Sequence, residues 1–402
     1  MSKKTNRSLT FIFITLLLDV TGFGIIIPVL PKLIAVLTHV EISGAAQWGG
    51  LLMFSYAAMQ FFFAPIIGAL SDKYGRRPIL LASLFAFGID FIVQGLAPNI
   101  WWLFGGRLLA GITGASFSTA GAYIADVSPP EKKAQNFGMI GAAFGVGFIL
   151  GPVLGGFLGQ FGLRVPFFAA AGLALLNFVY GYFVLPESLK PENRREFDWK
   201  RANPWGAFKN IQRYPVLVGL VGSLMCIYIA GQANQTTWSY IGIEKFQWDE
   251  RMVGWSLGWV GLTVGLVQGV LSRIIIPKLG TKKAVYVGLF IYTIGFSLFA
   301  FATDTWMMFA FMTIFAFGGI SGPALQGIIS NLVPPNEQGE LQGSLTSLVS
   351  ITSIIGPLLM SNLFYYFTHS NAPIYFAGAP FLAGAALCLV SLLLAHRELS
   401  KS

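Results

Sequence analysis

The chain is short of charge, cysteine and histidine. Only 11% of its 402 residues are Asp, Glu, Lys or Arg, against about 25% in ordinary soluble proteins. Twenty-six basic and 17 acidic side chains cannot coat a protein of this size in water, so most of its surface must meet lipid. A soluble globular fold is excluded. The two cysteines, Cys226 and Cys388, both lie in apolar runs and exclude a disulfide framework. His39, His369 and His396 stand far apart, with no ligand spacing to each other or to a cysteine, so no metal site is expected. Also missing are a Gly-x-x-x-x-Gly-Lys-Ser/Thr phosphate loop and a Gly-x-Ser-x-Gly nucleophile elbow. Nothing points to an enzyme or to a bound cofactor, and any transport must be driven by a gradient.

What the chain has is apolar sequence, 55% of all residues. A spanning helix needs ~20 such residues. Twelve segments meet that length, at about 9–31, 48–70, 78–97, 101–125, 137–159, 166–185, 216–238, 253–276, 284–303, 306–332, 342–367 and 374–395. The first, opened by Lys3, Lys4 and Arg7, is too long for a secretory signal. It contains Asp19 and runs into Pro28 and Pro31 without a small-residue cleavage site, so it is a retained helix.

The net charge of +9 could suggest a nucleic-acid partner, but its distribution argues against one. Twenty-one Lys and Arg fall on the side that carries both termini, four fall opposite (Lys32, Arg164, Lys245, Arg251), and Arg107 lies inside a segment. The positive-inside rule then puts both termini in the cytoplasm.

At an offset of 205 residues the sequence meets itself. Gly75 with Arg76 and Arg77 recurs as Gly280 with Lys282 and Lys283, Pro129 and Pro130 recur as Pro334 and Pro335, and Gly151 with Pro152 recurs as Gly356 with Pro357. The expected fold is therefore all-α, with twelve transmembrane helices in two parallel six-helix repeats related by an axis along the membrane normal, and substrate bound between them. The expected parts are a first bundle over 1–186, a cytoplasmic linker over 187–214 and a second bundle over 215–402.

Three ionisable residues remain deep inside segments: Asp19, Asp90 and Arg107. Each costs about 2.5 to 3.5 kcal/mol to insert and so needs a reason. Asp19 and Asp90 lie ~15 to 18 Å in from the cytoplasmic side, and Arg107 ~9 Å in from the other, at 1.5 Å per residue. Low dielectric strengthens a carboxyl's hold on its proton and a neighbouring guanidinium opposes this. The balance suits a group that exchanges a proton, so Asp19 and Asp90 are candidates for proton coupling or substrate contact, with Arg107 as modulator. An inert buried ion pair is the plainer alternative.

Embedded polar and aromatic residues are candidates for the substrate site: Gln60, Gln94, Asn177, Tyr228, Gln232, Asn234, Gln235, Trp238, Trp259, Gln268, Tyr292 and Gln326. Amides are costly in lipid and so face protein or water. Gln232, Gln235 and Trp238 recur at three-residue spacing, roughly along one helix face. Such groups suit a planar, amphiphilic organic molecule. Trp101, Trp102, Trp248 and Trp306 are expected in interfacial belts.

The loop Gly68-Ala69-Leu70-Ser71-Asp72-Lys73-Tyr74-Gly75-Arg76-Arg77-Pro78 resembles the signature of the major facilitator superfamily. Glycines allow a tight turn there, and Asp72 at a helix end can pair with basic residues. Gly106-Arg107-Leu108-Leu109-Ala110-Gly111 resembles the fourth-helix arginine motif, which the family implicates in proton coupling. The stretch from Gly147 through Gly151, Pro152 and Gly155 to Gly156 resembles the signature of exporters that work as antiporters; its small residues permit close packing and its proline a bend. Within the superfamily the chain is similar to the tetracycline/proton antiporter branch over nearly its whole length. The similarity includes Asp19, Asp90, Tyr123-Ile124-Ala125-Asp126, Gly231-Gln232 through Trp238, and Leu341-Gln342-Gly343-Ser344-Leu345. Asp126 is implied to be a cytoplasmic-end charge of the gate, with Asp72, Arg76 and Arg77. Two positions depart from the branch. Tyr292 stands where the tetracycline proteins carry an embedded aspartate in helix nine, and Val264 where they carry a histidine in helix eight; Gln268 matches.

The resemblance implies a proton-coupled exporter of a small amphiphilic drug, working by alternating access as a monomer in a bacterial-type inner membrane. Its partners would be the substrate, protons and membrane lipid. An exporter or proton symporter of an endogenous metabolite or siderophore is the alternative.

Overall fold

The computed structural model describes residues 3–114, 116–129, 133–197, 215–333 and 338–400. Pro130, Pro334 and Pro335 of the repeat and residues 198–214 of the expected linker lie outside the described residues. Regular structure among the described residues is helical: α1 (Lys3–Ile26), α2 (Leu30–Thr38), α3 (Ile42–Tyr74), α4 (Arg76–Gly95), α5 (Ile100–Gly114), α6 (Ser116–Val127), α7 (Lys133–Gly159) and α8 (Val165–Val184), then α9 (Pro215–Phe246), α10 (Glu250–Leu266), α11 (Ser272–Leu279), α12 (Thr281–Phe301), α13 (Thr305–Phe317), α14 (Ser321–Asn331), α15 (Gln338–Thr368) and α16 (Ala379–Leu399). A π-helical turn over Val267–Leu271 joins α10 to α11, and a 3-10 turn over Gly318–Ile320 joins α13 to α14.

Eleven helical runs are long and apolar enough to cross a membrane, and α1 with α2, bent by 48°, makes a twelfth when taken as one span. Among the described residues the protein is all-α, with eleven or twelve runs fit to cross a membrane. The bend has a local cause. Pro28 brings no N–H and cannot continue the helix ladder, so the N–H groups of Ile27 and Val29 reach carbonyls three residues back, Gly24 at 3.2 Å and Ile26 at 3.3 Å. The first span therefore runs on past Pro31 to Thr38.

The 205-residue repeat is written in the backbone as well as in the sequence. Gly75 and Gly280 are the N-cap residues of α4 and α12 and hold φ of +105° and +80°. L-residues rarely adopt such values, and glycine does so freely. Pro152 and Pro357 sit inside α7 and α15.

Two compact units divide the chain: one comprises Met1–His39, Ser55–Pro204 and Glu250–Gly258, the other Val40–Phe54, Trp205–Asp249 and Trp259–Ser402. Each unit thus includes a short segment from the opposite half of the sequence. In the first, the start of α10 packs on α7, where Lys32 Nζ meets Glu250 Oε1 at 2.9 Å and Gly156 faces Gly254. In the second, the start of α3 packs on α15 and α9, where Gln47 Nε2 donates to Asn362 Oδ1 at 2.7 Å and Gly49 leaves room for the Tyr240 ring.

Each unit has its own core. Phe11, Ile12, Leu16, Leu80, Ala120, Tyr123, Ile124 and Ala143 bind α1, α4, α6 and α7 together in the first. In the second, Ser223 and Ser391 exchange hydroxyl-to-carbonyl bonds of 2.9 Å between α9 and α16, so two small side chains satisfy each other where water is absent. Trp101, Trp102 and Trp306 are exposed, as belt residues would be, but Trp248 is buried. Gly242 opens a slot for its ring, Phe246 stacks on it, and its indole N–H donates to Thr305 Oγ1 at 2.8 Å, which leaves no polar edge for the interface.

Candidate functional site

The first unit gathers its buried charges. On α4, Asp90 and Gln94 lie one turn apart and both are buried; Gln94 Nε2 donates to Asp90 Oδ2 at 2.6 Å. Gly106 on α5 is their seat, because a Cβ there would lie 2.7 Å from Asp90 Oδ1 and 2.6 Å from Gln94 Cγ. The next residue, Arg107, is buried, with its guanidinium 5.7 Å above the Phe23 ring of α1, a cation–π arrangement. Phe23 packs in turn against Tyr56 of α3 at 5.8 Å between ring centres. The Tyr56 phenol accepts from Gln60 Nε2 at 3.5 Å and interacts electrostatically with Arg107, Asp19 and Asp90. The three charges singled out in the sequence thus share one neighbour. Tyr56 itself carried no sequence signal: it is one of 13 tyrosines in an apolar chain. Gln94 was legible as polar, but the four-residue spacing to Asp90 was the clue to its partner.

The helix bearing Asp19 rests on α7 through Gly147, Gly151, Pro152 and Gly155. Gly147 faces Val20, Gly151 faces the Thr21 carbonyl and Gly24, Pro152 faces Gly24, and Gly155 faces the Ile25 carbonyl. The backbones are close enough that side chains at these glycines would overlap α1.

At the other end of α4, Arg76 is buried and pairs with Asp72 Oδ1 at 2.5 Å and with Asp126 Oδ2 at 3.3 Å, while donating to Ser71 Oγ at 2.6 Å. Ser71 Oγ also donates to the Gly68 carbonyl at 2.8 Å. Glu187 caps the helix: its carboxylate accepts from the backbone N–H of Arg76 at 2.8 Å and of Arg77 at 3.2 Å. A negative group at a helix N-terminus meets unpaired N–H groups and the positive end of the dipole. Ser188 Oγ donates to Asp126 Oδ2 at 2.9 Å, and Arg77 donates to the Tyr182 carbonyl at 2.7 Å. Glu187 and Ser188, just after α8, therefore join the hydrogen-bond network of Arg76 and Asp126. Exposure of the Asp126 side chain is 23% and of Arg76 10%. Single Arg76→Ala and Asp126→Ala variants and their double variant are expected to lower thermal stability non-additively, with a coupling of about 0.5–3 kcal/mol; additive losses in a thermal-shift assay would contradict the pairing.

In the second unit the polar candidates separate. The Tyr292 ring lies over Gly318 and 4.7 Å from the Phe315 ring, and the Gln268 amide, on the π-helical turn, lies against Gly319. The two thus converge on neighbouring glycines of the 3-10 turn. Gln326 Nε2 donates to the Tyr228 hydroxyl at 2.8 Å, joining α14 to α9. Gln232, Gln235 and Trp238 do not share a surface. Gln232 is buried against Gly356, and Trp238 is buried among Trp248, Phe299 and Phe381, while Gln235 is exposed. Three-residue steps turn about 60° each, so two of them carry a side chain well away from the starting face. Val264 packs on the apolar core. Among the described residues no group of three or more His, Cys, Asp or Glu is placed to hold a metal ion.

Comparison with known proteins places this arrangement in a family. The model of the Major Facilitator Superfamily matches residues 12–244 and 223–402. The chain is 40% identical over 389 residues to the class C tetracycline resistance protein of Escherichia coli, covering 97% of this chain and 96% of that one. With the class B protein of Escherichia coli it shares 36% identity over 392 residues, covering 96% and 95%. Among solved structures, the human organic anion transporter MFSD10 (TETRAN) aligns with a TM-score of 0.71 and 25% identity over 98% of this chain and 100% of that one. A bacterial homolog to the human lysosomal transporter Spinster, in an inward-facing and occupied conformation, has a TM-score of 0.79 at 17% identity, covering 100% and 98%, and so shares the fold. The chain belongs to the Major Facilitator Superfamily and, within it, to the branch of the tetracycline resistance proteins.

Proposed function

We propose that the protein exports a small, amphiphilic, aromatic compound of the tetracycline kind in exchange for protons. It does so by alternating access in a bacterial-type inner membrane, with both termini in the cytoplasm, and acts as a monomer. The observation that carries this reading is the burial of Asp90 beside Arg107, Tyr56 and Gln94 in a chain 40% identical to a tetracycline resistance protein. A buried carboxyl held by a side-chain amide and set in the field of a neighbouring guanidinium is suited to load and release a proton. Asp19 and Asp90 carry the coupling proton and Arg107 tunes them. Asp72 and Gly68 near the end of α3, Gly75 at the turn, Arg76 and Arg77 at the start of α4, and Asp126 at the end of α6 form the cytoplasmic gate.

The second unit supports the substrate side of this reading. Tyr228, Gln268, Tyr292 and Gln326 offer aromatic faces and uncharged hydrogen-bonding groups, and a planar molecule with a polar edge fits that chemistry. Gln235 adds an exposed amide on α9, where Gln232 and Trp238 are buried, and in the first unit Gln60 offers an amide beside Tyr56. Tyr292 and Val264, at positions where the resembled branch has ionisable groups, favour a second reading for the substrate alone: an endogenous metabolite or siderophore moved by the same mechanism.

Cells expressing the chain are expected to tolerate a tetracycline concentration several-fold above vector controls, and the gain is expected to vanish with Asp90→Asn. Unchanged tolerance across tetracyclines, with gradient-driven efflux of another amphiphile, would select the second reading.

A further inference from the structure

We infer that Gln94 is the positioning residue of the Asp90 carboxyl and serves both of its protonation states by reversing its side-chain amide. The inference rests on the coupling role proposed for Asp90 and deepens it. Gln94 Nε2 donates to Asp90 Oδ2 at 2.6 Å. Gln94 Oε1 and Asp90 Oδ1, buried beside that bond, meet no hydrogen-bond partner among the described residues. An ionised carboxylate needs a donor, and Nε2–H supplies one. A carboxylic acid needs an acceptor, and Oε1 supplies one once the amide turns about its last torsion. In that exchange the incoming proton sits on Oδ2, the N–H leaves Oδ2, and Oε1 takes its place. No second bond is broken, because no other group among the described residues holds Oε1. Leucine could serve neither state, and lysine or arginine could serve only the carboxylate. Gly106 closes the other side, where any side chain would strike both Asp90 Oδ1 and Gln94 Cγ.

The charges that face Asp90 come from other helices. Arg107 of α5 acts on it directly, as does the Tyr56 phenol of α3, and Asp19 of α1 acts on the same phenol. From α8, packed on α4 at Gly88 and Gly95, come the apolar Leu175, Phe167 and Phe168, and from its N-cap comes Arg164, whose guanidinium is held by the backbone carbonyls of Gly95 at 2.8 Å and Ala97 at 2.8 Å. Asp126 of α6 meets α4 at Arg76, at its far end. Gln94 is hydrogen-bonded to Asp90 Oδ2 through its side chain, while Arg107 and Tyr56 act on the carboxyl through charge.

A hydrogen bond to a carboxylate is about twice as strong as one to a neutral acid. Removing the amide therefore costs the ionised state more, and the proton is held more tightly. Gln94→Met keeps the volume and deletes both bonds. In everted membrane vesicles loading a fluorescent tetracycline, its transport–pH midpoint is expected to move up by about one pH unit relative to wild type. In infrared difference spectra of the purified protein between high and low pH, the carboxylic-acid C=O band that Asp90→Asn removes is expected to shift to higher frequency. Gln94→Glu can donate and accept while protonated, so it is expected to transport at low pH and fail at high pH. An unshifted midpoint and an unshifted band in Gln94→Met would overturn the inference. Should Gln94→Met not reach the membrane, Gln94→Asn, one methylene too short for Oδ2, is read the same way. If Asp90→Asn retains gradient-driven transport, the coupling role itself falls, while the infrared band still reports on Gln94.

Discussion

Asp90→Asn is expected to reduce proton-driven efflux to background while the protein still accumulates in the membrane. Asparagine keeps the size of the side chain and both of its hydrogen-bonding roles, so Gln94 Nε2 retains an acceptor in place of Oδ2 and Gly106 remains a sufficient seat. The fold therefore keeps its contacts. What disappears is the group that can gain and lose a proton, and removing a buried ionisable carboxyl also lifts an insertion cost of about 2.5–3.5 kcal/mol. Stability is expected to hold or rise while coupling is lost, a pairing that a residue important only for packing would not give. Exchange of labelled for unlabelled substrate, which needs no net proton movement, is expected to survive. Asp19→Asn is expected to lose coupling in the same assay. If both variants export at the wild-type rate under a pH gradient, neither carboxyl is a coupling group.

The second large effect lies on α7. Gly155→Ala places a methyl group on the Ile25 carbonyl of α1, and Gly151→Ala places one 2.7 Å from the Thr21 carbonyl. Backbone atoms cannot turn aside as a flexible side chain would, and overpacking of this kind costs about 1–3 kcal/mol. Borne by the helix that presents Asp19, a strain of that size lowers transport by about tenfold or more. The same helix supplies its own controls. At Gly141 and Gly145 an added Cβ meets nothing within 4 Å, so Gly141→Ala and Gly145→Ala are expected to transport at the wild-type rate. Equal effects at all four glycines would show that α7 responds to helix propensity rather than to contact with α1.

The spans and the repeat were legible in the sequence because each rests on local chemistry. Apolar run length marks a crossing, and a glycine at positive φ marks the turn at Gly75 and again at Gly280. Asp19, Asp90 and Arg107 were legible because charge is costly in lipid wherever it sits. Tyr56 was not, since what distinguishes it is the meeting of α1, α3, α4 and α5 around its hydroxyl. Glu187 escaped for a similar reason: 111 residues separate it from the Arg76 N–H that it accepts, and a Pro-Glu-Ser stretch after an apolar run reads as the start of a linker. The face of α9 is only partly readable from spacing: two three-residue steps turn by about 120°, which leaves Gln235 exposed while Gln232 and Trp238 are buried.

Proton-coupled export is tested most directly with the purified protein in liposomes carrying an imposed pH gradient and a tetracycline as substrate. Tetracycline is expected to accumulate against its own gradient on the side of higher proton concentration and to drain when a protonophore collapses the pH difference. Flux that ignores the pH gradient and the protonophore, or binding without flux, would contradict antiport.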